Sequence, residues 1–350
     1  MAICTAKDAI SFINSRGTSV YACALDAEKA FDGVPHCILL KKCQGVISDH
    51  WWRLLHMWYS DLHAVIKWKD KVTAPVPIKK GTRQGGLTSP LLFNLLYQDI
   101  VCELSNAEGG LRINHTSYNV FCYADDLLLV STTVTGLQNL IDKAKQYITN
   151  HGLSFNPKKS SCIIFGKQYF VKEPSWYINN QTIKLCDEVD YLGAVLAGSN
   201  KCQIAKRMQA CRKSFYNLQS AGLCENGIKP HLVSYMWKVA LQPVLLYANE
   251  CFSMTNINYL ELNRLQSKLV KTSLGLSKYL RSTPLLDAMQ ICKINKLVDV
   301  NTLRLFKSVL FSPTRAGQLY KYLLLNDNNS MNVLSFRFNR ICQLYNIRPL

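Results

Sequence analysis

Two strongly apolar runs, Tyr118–Tyr123 and Leu127–Ser131, stand on either side of Ala124-Asp125-Asp126. Runs of that length, interrupted by a short polar turn, specify a β-hairpin. Here the tip of the hairpin carries two adjacent carboxylates. Side-by-side acids repel, which disfavours the arrangement unless solvent or a cation compensates. A second apolar strand, Val20-Tyr21-Ala22-Cys23-Ala24-Leu25, delivers Asp26 at its end. Each site alone has an ordinary explanation, because an Asp often caps the turn after a strand and acids are common turn residues.

The surrounding pattern is α+β. Helices are expected at Ala6–Ser15, His36–Cys43, His50–Tyr59, Ser89–Leu104 and Gly136–His151. Strands are expected at Ser19–Leu25, Ala64–Lys69, Ala74–Lys79 and Ser161–Phe165, with a short hairpin at Val189–Leu196 closing the unit. Pro75 and Pro77 push the 74–79 strand to an edge, since proline cannot donate to a ladder. Pro90 suits the first turn of its helix, where the missing N–H is not needed. Beyond Gly198 the pattern is wholly helical, broken at Gly222, Gly227, Asn256, Pro284, Pro313 and 327–330. The length of 350 residues fits two or three domains, at roughly 100–200 residues each. The expected boundary separates 1–198 from 199–350.

Charge changes at the same place. Residues 1–198 hold 20 Lys/Arg against 17 Asp/Glu, whereas residues 199–350 hold 21 against 6. A basic second half beside a near-neutral first half points to a polyanionic partner; the plainer alternative is a solvated lysine-rich face. Lys201, Lys206, Arg207, Arg212 and Lys213 fall on one amphipathic stretch, with Phe215 and Tyr216 behind them. No run reaches the roughly 20 apolar residues of a membrane helix. The N-terminus also lacks a basic region followed by an apolar run. The chain is therefore expected to be intracellular, nuclear or cytoplasmic, with no membrane partner. None of the 14 cysteines has Cys-x-x-Cys spacing, so they read as buried, reduced thiols.

Between the two acid sites lies Lys79-Lys80-Gly81-Thr82-Arg83-Gln84-Gly85-Gly86-Leu87-Thr88-Ser89-Pro90-Leu91-Leu92-Phe93-Asn94. A glycine-rich loop opening a helix allows close backbone approach to a ligand. Ser89 as an N-cap with Pro90 behind it accounts for the helix start, but not for the Arg-Gln-Gly-Gly run.

Taken in order, three blocks resemble the reverse transcriptases of non-LTR (LINE-type) retrotransposons. They are Leu25-Asp26-x-x-Lys29-Ala30-Phe31-Asp32, Arg83-Gln84-Gly85-x-x-x-Ser89-Pro90 and Tyr123-Ala124-Asp125-Asp126. Gly152-Leu153-Ser154-Phe155-Asn156-Pro157-Lys158-Lys159-Ser160 is similar to the block that follows the catalytic hairpin in that family. Tyr191-Leu192-Gly193 is similar to its primer-grip turn, and Gln242-Pro243-Val244-Leu245-Leu246-Tyr247 also resembles an element of the family.

The resemblance implies a right-hand polymerase palm, an antiparallel sheet backed by helices, followed by an all-helical basic thumb. It implies RNA-directed DNA synthesis with two Mg²⁺ ions (or Mn²⁺), about 4 Å apart, an RNA template, a DNA primer and dNTPs. Asp26, Asp125 and Asp126 would be the metal ligands, with the Ala27 carbonyl beside them. Phe31 would crowd a ribose 2′-OH and select deoxynucleotides; it also suits a core aromatic. Arg83, Gln84, Gly85 and Gly86 would line the incoming nucleotide and the template base. Lys159 would be the acid for the pyrophosphate leaving group, or simply a solvated lysine. Glu28, Lys29, Asp32 and His36 would support the first turn. Tyr123 would contact nucleic acid, Tyr191, Leu192 and Gly193 the primer, and Lys206, Arg207, Arg212 and Lys213 the duplex phosphates.

The sequence departs from the family in one respect. Only 25 residues precede Asp26, where the family has a fingers region with basic residues. The chain therefore reads as palm and thumb of a longer element. Two alternatives stay open: a relic that grips nucleic acid without catalysis, and an RNA-dependent RNA polymerase. Phe31 and the Arg83-Gln84-Gly85 block speak against the second.

Overall fold

The structure is a computed structural model that describes residues 1–82, 86–166, 173–223, 228–326 and 334–347. The chain divides into two compact units, one of residues 19–186 and one of residues 1–18 with 187–350. This packing division differs from the expected one at residue 198. The 188–197 hairpin counts with the helical unit, and forms a two-stranded sheet of its own.

The 19–186 unit is built on a five-stranded sheet. Its strand order is Lys184–Leu185, Ser161–Phe165, Val20–Leu25, Asp126–Ser131, Val120–Tyr123. All pairings are antiparallel except 184–185 with 161–165. The 20–25 strand is hydrogen-bonded on both edges and largely buried, which is why it reads as an unbroken apolar run rather than an alternation. Helices Ser89–Ser105 and Val134–Asn150 contribute to the same core. Their buried residues, Phe93, Leu96, Ile100 and Leu104 in one and Leu137, Leu140, Ile141, Ala144 and Ile148 in the other, follow the spacing of a single helix face. Thr133 caps the second helix by accepting from the Gly136 N–H.

The strands expected at 64–69 and 74–79 form a narrower device. His63–Ala64 pairs with Val76–Pro77, and Lys67–Trp68 pairs with Lys71–Val72. Two causes account for the fragmentation. Lys69 adopts φ +53° and turns the chain at Lys69-Asp70, and Pro75 and Pro77 supply no N–H to a continuous ladder. Every residue from 63 to 77 is exposed.

In the other unit, the described residues after Gly198 are helical or in connecting turns. Helices Lys201–Leu218, Pro230–Met236, Asn256–Ser273 and Ile294–Leu310 contribute to a core around Phe215, Trp237, Leu245, Leu262 and Leu269. Helix Ala2–Ser15 is tied to this unit through Asp8, which is fully buried. Its Oδ2 accepts from the Tyr320 hydroxyl at 2.5 Å, the Leu334 N–H at 3.0 Å and the Cys4 thiol at 3.7 Å. Among the described residues the cysteines are free thiols, but not all are buried as expected: Cys37, Cys102 and Cys292 are exposed, on helix faces and a connecting segment that no core covers. No helix among the described residues is long and apolar enough to cross a membrane.

Candidate active site

Strand register brings the acids together. Leu25 lies opposite Leu127, and Tyr123 opposite Asp126. One residue past the Leu25–Leu127 pair, Asp26 and Asp126 therefore emerge at the same end of the sheet. Asp125 occupies the two-residue loop beside them. Ala124, the first loop residue, has φ +53°, a conformation that costs a non-glycine residue about 1–3 kcal/mol. The Cys122 thiol donates to the Ala124 carbonyl at 3.5 Å.

The electrostatics match that crowding. The Asp126 carboxyl is raised above the usual range, first by partial burial and then by the charges of Asp125 and Asp26. The Cys122 thiol is pushed up to about 12 by burial, then by the same hairpin acids. Burial also raises the Tyr97 hydroxyl, with Cys122 and Asp125 adding to it. These carboxylates are a hard, oxygen-only donor set of the kind that suits Mg²⁺, and their mutual repulsion is what a bound dication would relieve. Among the described residues, no group of three His, Cys, Asp or Glu side chains is gathered closely enough to enclose an ion by itself.

The Asp26 turn is clamped by the 152–160 segment. Asn156 N–H donates to the Asp26 carbonyl at 2.8 Å, and Asp26 N–H donates to Ser160 Oγ at 3.2 Å. Ser160 Oγ in turn donates to the Asn156 carbonyl at 2.8 Å. Ala27 bridges to Phe155, and Glu28 receives the Ser154 hydroxyl at 3.0 Å while its N–H donates to the Ser154 carbonyl. Lys159 Nζ lies 3.7 Å from Asp26 Oδ2. Ser160 and Asn156 did not stand out in the sequence as individuals; only their block did.

Phe31 is partly buried and stacks on Phe93 at 4.3 Å, and Phe93 on Tyr97 at 4.5 Å. Its carbonyl accepts from Thr82 N–H at 2.7 Å. Gly81 N–H donates to the Val34 carbonyl at 2.8 Å, and its own carbonyl lies 2.9 Å from His36 Nε2. Gly81 has φ +96°, and a Cβ there would come within 3.1 Å of the Asp32 backbone. Glycine takes both the positive φ and this close approach without strain. The segment entering the glycine-rich loop is thus strapped to the turn that carries Phe31. Arg83, Gln84 and Gly85 lie outside the described residues. Gly86 accepts from Ser89 N–H at 3.2 Å, and Ser89 opens the helix while Thr88 takes the capping position. Gly86, Leu87 and Thr88 line a cleft of about 270 Å³ with Trp58, Tyr59 and Leu62.

In the helical unit, Leu192 and Gly193 both have positive φ, +51° and +71°, as a type I′ hairpin turn requires. Tyr191 is buried. The Tyr247 hydroxyl donates to the Leu192 carbonyl at 2.7 Å, and Arg207 Nη2 to the Gly193 carbonyl at 2.9 Å. The Arg207 guanidinium stands 5.2 Å from the Tyr247 ring, and Lys206 pairs with Asp190. These two basic residues are therefore engaged with the hairpin. Arg212, Lys213 and Tyr123 are exposed.

The family described as reverse transcriptase (RNA-dependent DNA polymerase) matches residues 2–196. That is more than half of the chain, and the chain belongs to this family. Among its relatives is the Pol polyprotein of the type-1 retrotransposable element R2 of Popillia japonica. It is 25% identical over 243 residues, covering 66% of this chain and 39% of the relative. The RNA-directed DNA polymerase from the mobile element jockey of Drosophila funebris is 23% identical over 283 residues, covering 78% of this chain and 30% of its own length. The chain thus spans well under half of these relatives. Among solved structures, apo telomerase from Candida tropicalis aligns with a TM-score of 0.43 at 13% identity, covering 92% of this chain and 55% of that one.

Proposed function

We propose that this chain is the palm (1–198) and thumb (199–350) of a non-LTR retrotransposon reverse transcriptase. It would add deoxynucleotides to a primer 3′-OH on an RNA template. The observation that carries the reading is the register that sets Asp26 beside Asp126, with Asp125 on the adjoining loop. Asp26, Asp125 and Asp126, with the Ala27 carbonyl, would hold two divalent cations. When bound, Mg²⁺ or Mn²⁺ supplies activation of the 3′-OH and neutralisation of charge on the leaving pyrophosphate.

The chain's own residues do the rest. Lys159 carries a proton on Nζ, which it holds near Asp26 and gives to the departing pyrophosphate. Phe31, fixed by its stack on Phe93, crowds position 2′ of the incoming sugar. Arg83, Gln84, Gly85 and Gly86 line the nucleotide. Tyr123 meets nucleic acid, and the Leu192-Gly193 turn, with Tyr191 buried beneath it, bears on the primer. Arg212 and Lys213 meet duplex phosphates, whereas Lys206 and Arg207 hold the primer-grip turn in shape.

The test is primer extension on poly(rA)/oligo(dT) with Mg²⁺, comparing wild type with Asp125→Ala. Extension that vanishes in the variant supports the proposal. No extension by either, with duplex binding that weakens as salt rises, makes the chain a binding module instead.

A further inference from the structure

The ribbon of residues 63–77 has no part in the chemistry above, yet its composition is unusual for exposed structure. A two-stranded ribbon standing alone is marginally stable in water. This one also leaves Ile66, Trp68 and Val72 exposed, at 69%, 75% and 58%. Apolar surface of that kind marks a contact site.

Charge says what kind of contact. Residues 19–186 hold 18 Lys/Arg against 13 Asp/Glu, and residues 63–80 alone hold five against one. Nearly all the net positive charge of this unit therefore sits on the ribbon and its return. Lysine is depleted at protein–protein interfaces, whereas exposed aromatics among lysines are the standard equipment for single-stranded nucleic acid. The register sharpens the match. Trp68 is paired with Lys71 across the ribbon, and Lys67 with Val72. Directly opposed residues share a face, so an indole able to stack on a base lies next to an ammonium able to meet a phosphate. Ile66, two residues before Trp68, extends that face.

We infer that the 63–77 ribbon binds single-stranded RNA, stacking one base on Trp68 and meeting the adjoining phosphate with Lys71, its cross-strand partner on the same face. That the strand is RNA template rests on the polymerase reading above; the stacking and charge do not.

The test is fluorescence anisotropy of a labelled 15-nucleotide uridine-rich RNA with the full chain. Trp68→Ala should weaken binding roughly five- to a hundredfold, the loss of one base–aromatic stack. Trp68→Phe should restore most of it. Lys71→Gln should lower the slope of log affinity against log salt by about 0.7, the value for one phosphate contact on a single strand, while Lys67→Gln, on the opposite face, should change it less. Unchanged affinity and slope in these variants would overturn the inference. So would a Trp68→Ala variant that loses only self-association, which gives the ribbon to a second copy of the chain. A Trp68-dependent loss seen with the matching DNA oligomer but not with RNA would overturn the RNA assignment. Wild type that extends no primer but needs Trp68 for RNA fails the polymerase reading and keeps the ribbon. Wild type that extends primers while Trp68→Ala binds RNA normally does the reverse.

Discussion

Lys159 Nζ stands 3.7 Å from Asp26 Oδ2, at the end of a segment bonded to the Asp26 backbone through the Asn156 N–H and the Ser160 hydroxyl. The ion pair is largely solvent-exposed, with side chains 68% and 41% accessible, so it contributes about 0–1 kcal/mol to stability. The anchoring of its segment thus positions the ammonium more than it stabilises the fold. Lys159→Met should leave the melting temperature nearly unchanged and lower kcat by roughly 10²–10⁴, the range of one general acid. Single-turnover kinetics with dNTP would read this directly. A kcat equal to wild type would make Lys159 a solvated lysine.

The raised Asp126 carboxyl carries a sign. A carboxyl whose folded pKa lies above its unfolded value is destabilising once ionised, so the hairpin tip costs stability as pH rises through that range. Without divalent cations, Asp126→Asn should therefore melt slightly above wild type at neutral pH, a small effect because the residue is exposed and solvent screens its neighbours. Mg²⁺ added to wild type should raise its melting temperature with concentration, because it binds only the folded acids. The same titration on Asp125→Asn should give a smaller rise. Equal shifts in both would place the cations elsewhere.

The hairpin, the central strand and the long helices were legible because each has one period and one core. His36–Cys43 and Ser161–Phe165 match their expected bounds. The 63–77 ribbon was less so, since its residues touch no core that would impose a period, and the Lys69 turn carries no Gly or Asn to announce it. The site was legible as motifs but not as mechanics. Arg207 is expected at duplex phosphates because it lies on a helix face of basic residues, and nothing in that pattern announces its bond to the hairpin turn. That bond to the Gly193 carbonyl lies beside the Tyr247 ring, forty residues further along the chain. Ala124 at φ +53° could not be read either, because alanine gives no sign of a left-handed conformation.

Asp8 ties the first helix to the C-terminal helices through the Tyr320 hydroxyl and the Leu334 N–H. Asp8→Ala leaves the buried Leu334 N–H unsatisfied, at about 1–3 kcal/mol, and leaves the Tyr320 hydroxyl only the weak Cys4 sulfur acceptor at 3.3 Å. Tyr320→Phe removes one partner and should cost less, roughly 1–2 kcal/mol. Urea denaturation should rank wild type, Tyr320→Phe and Asp8→Ala in that order. A double variant no worse than Asp8→Ala alone would show that the two act as one interaction.

Phe31 tests the choice of sugar. Its ring is held by the stack on Phe93 and by the Thr82 bond to its carbonyl, so its position relative to the Asp26 turn is fixed from two sides. Phe31→Ala removes both bulk and core contact, and should lower the melting temperature as well as alter specificity. The two effects separate in the ratio of kcat/KM for dNTP over rNTP, which a purely structural loss does not move. That ratio should fall by about tenfold to a few hundredfold, the range a hydrophobic contact of this size can discriminate. Phe31→Tyr should keep it. An unchanged ratio in Phe31→Ala would make Phe31 a core aromatic only, and better use of rNTP by the wild type would turn the reading towards an RNA polymerase.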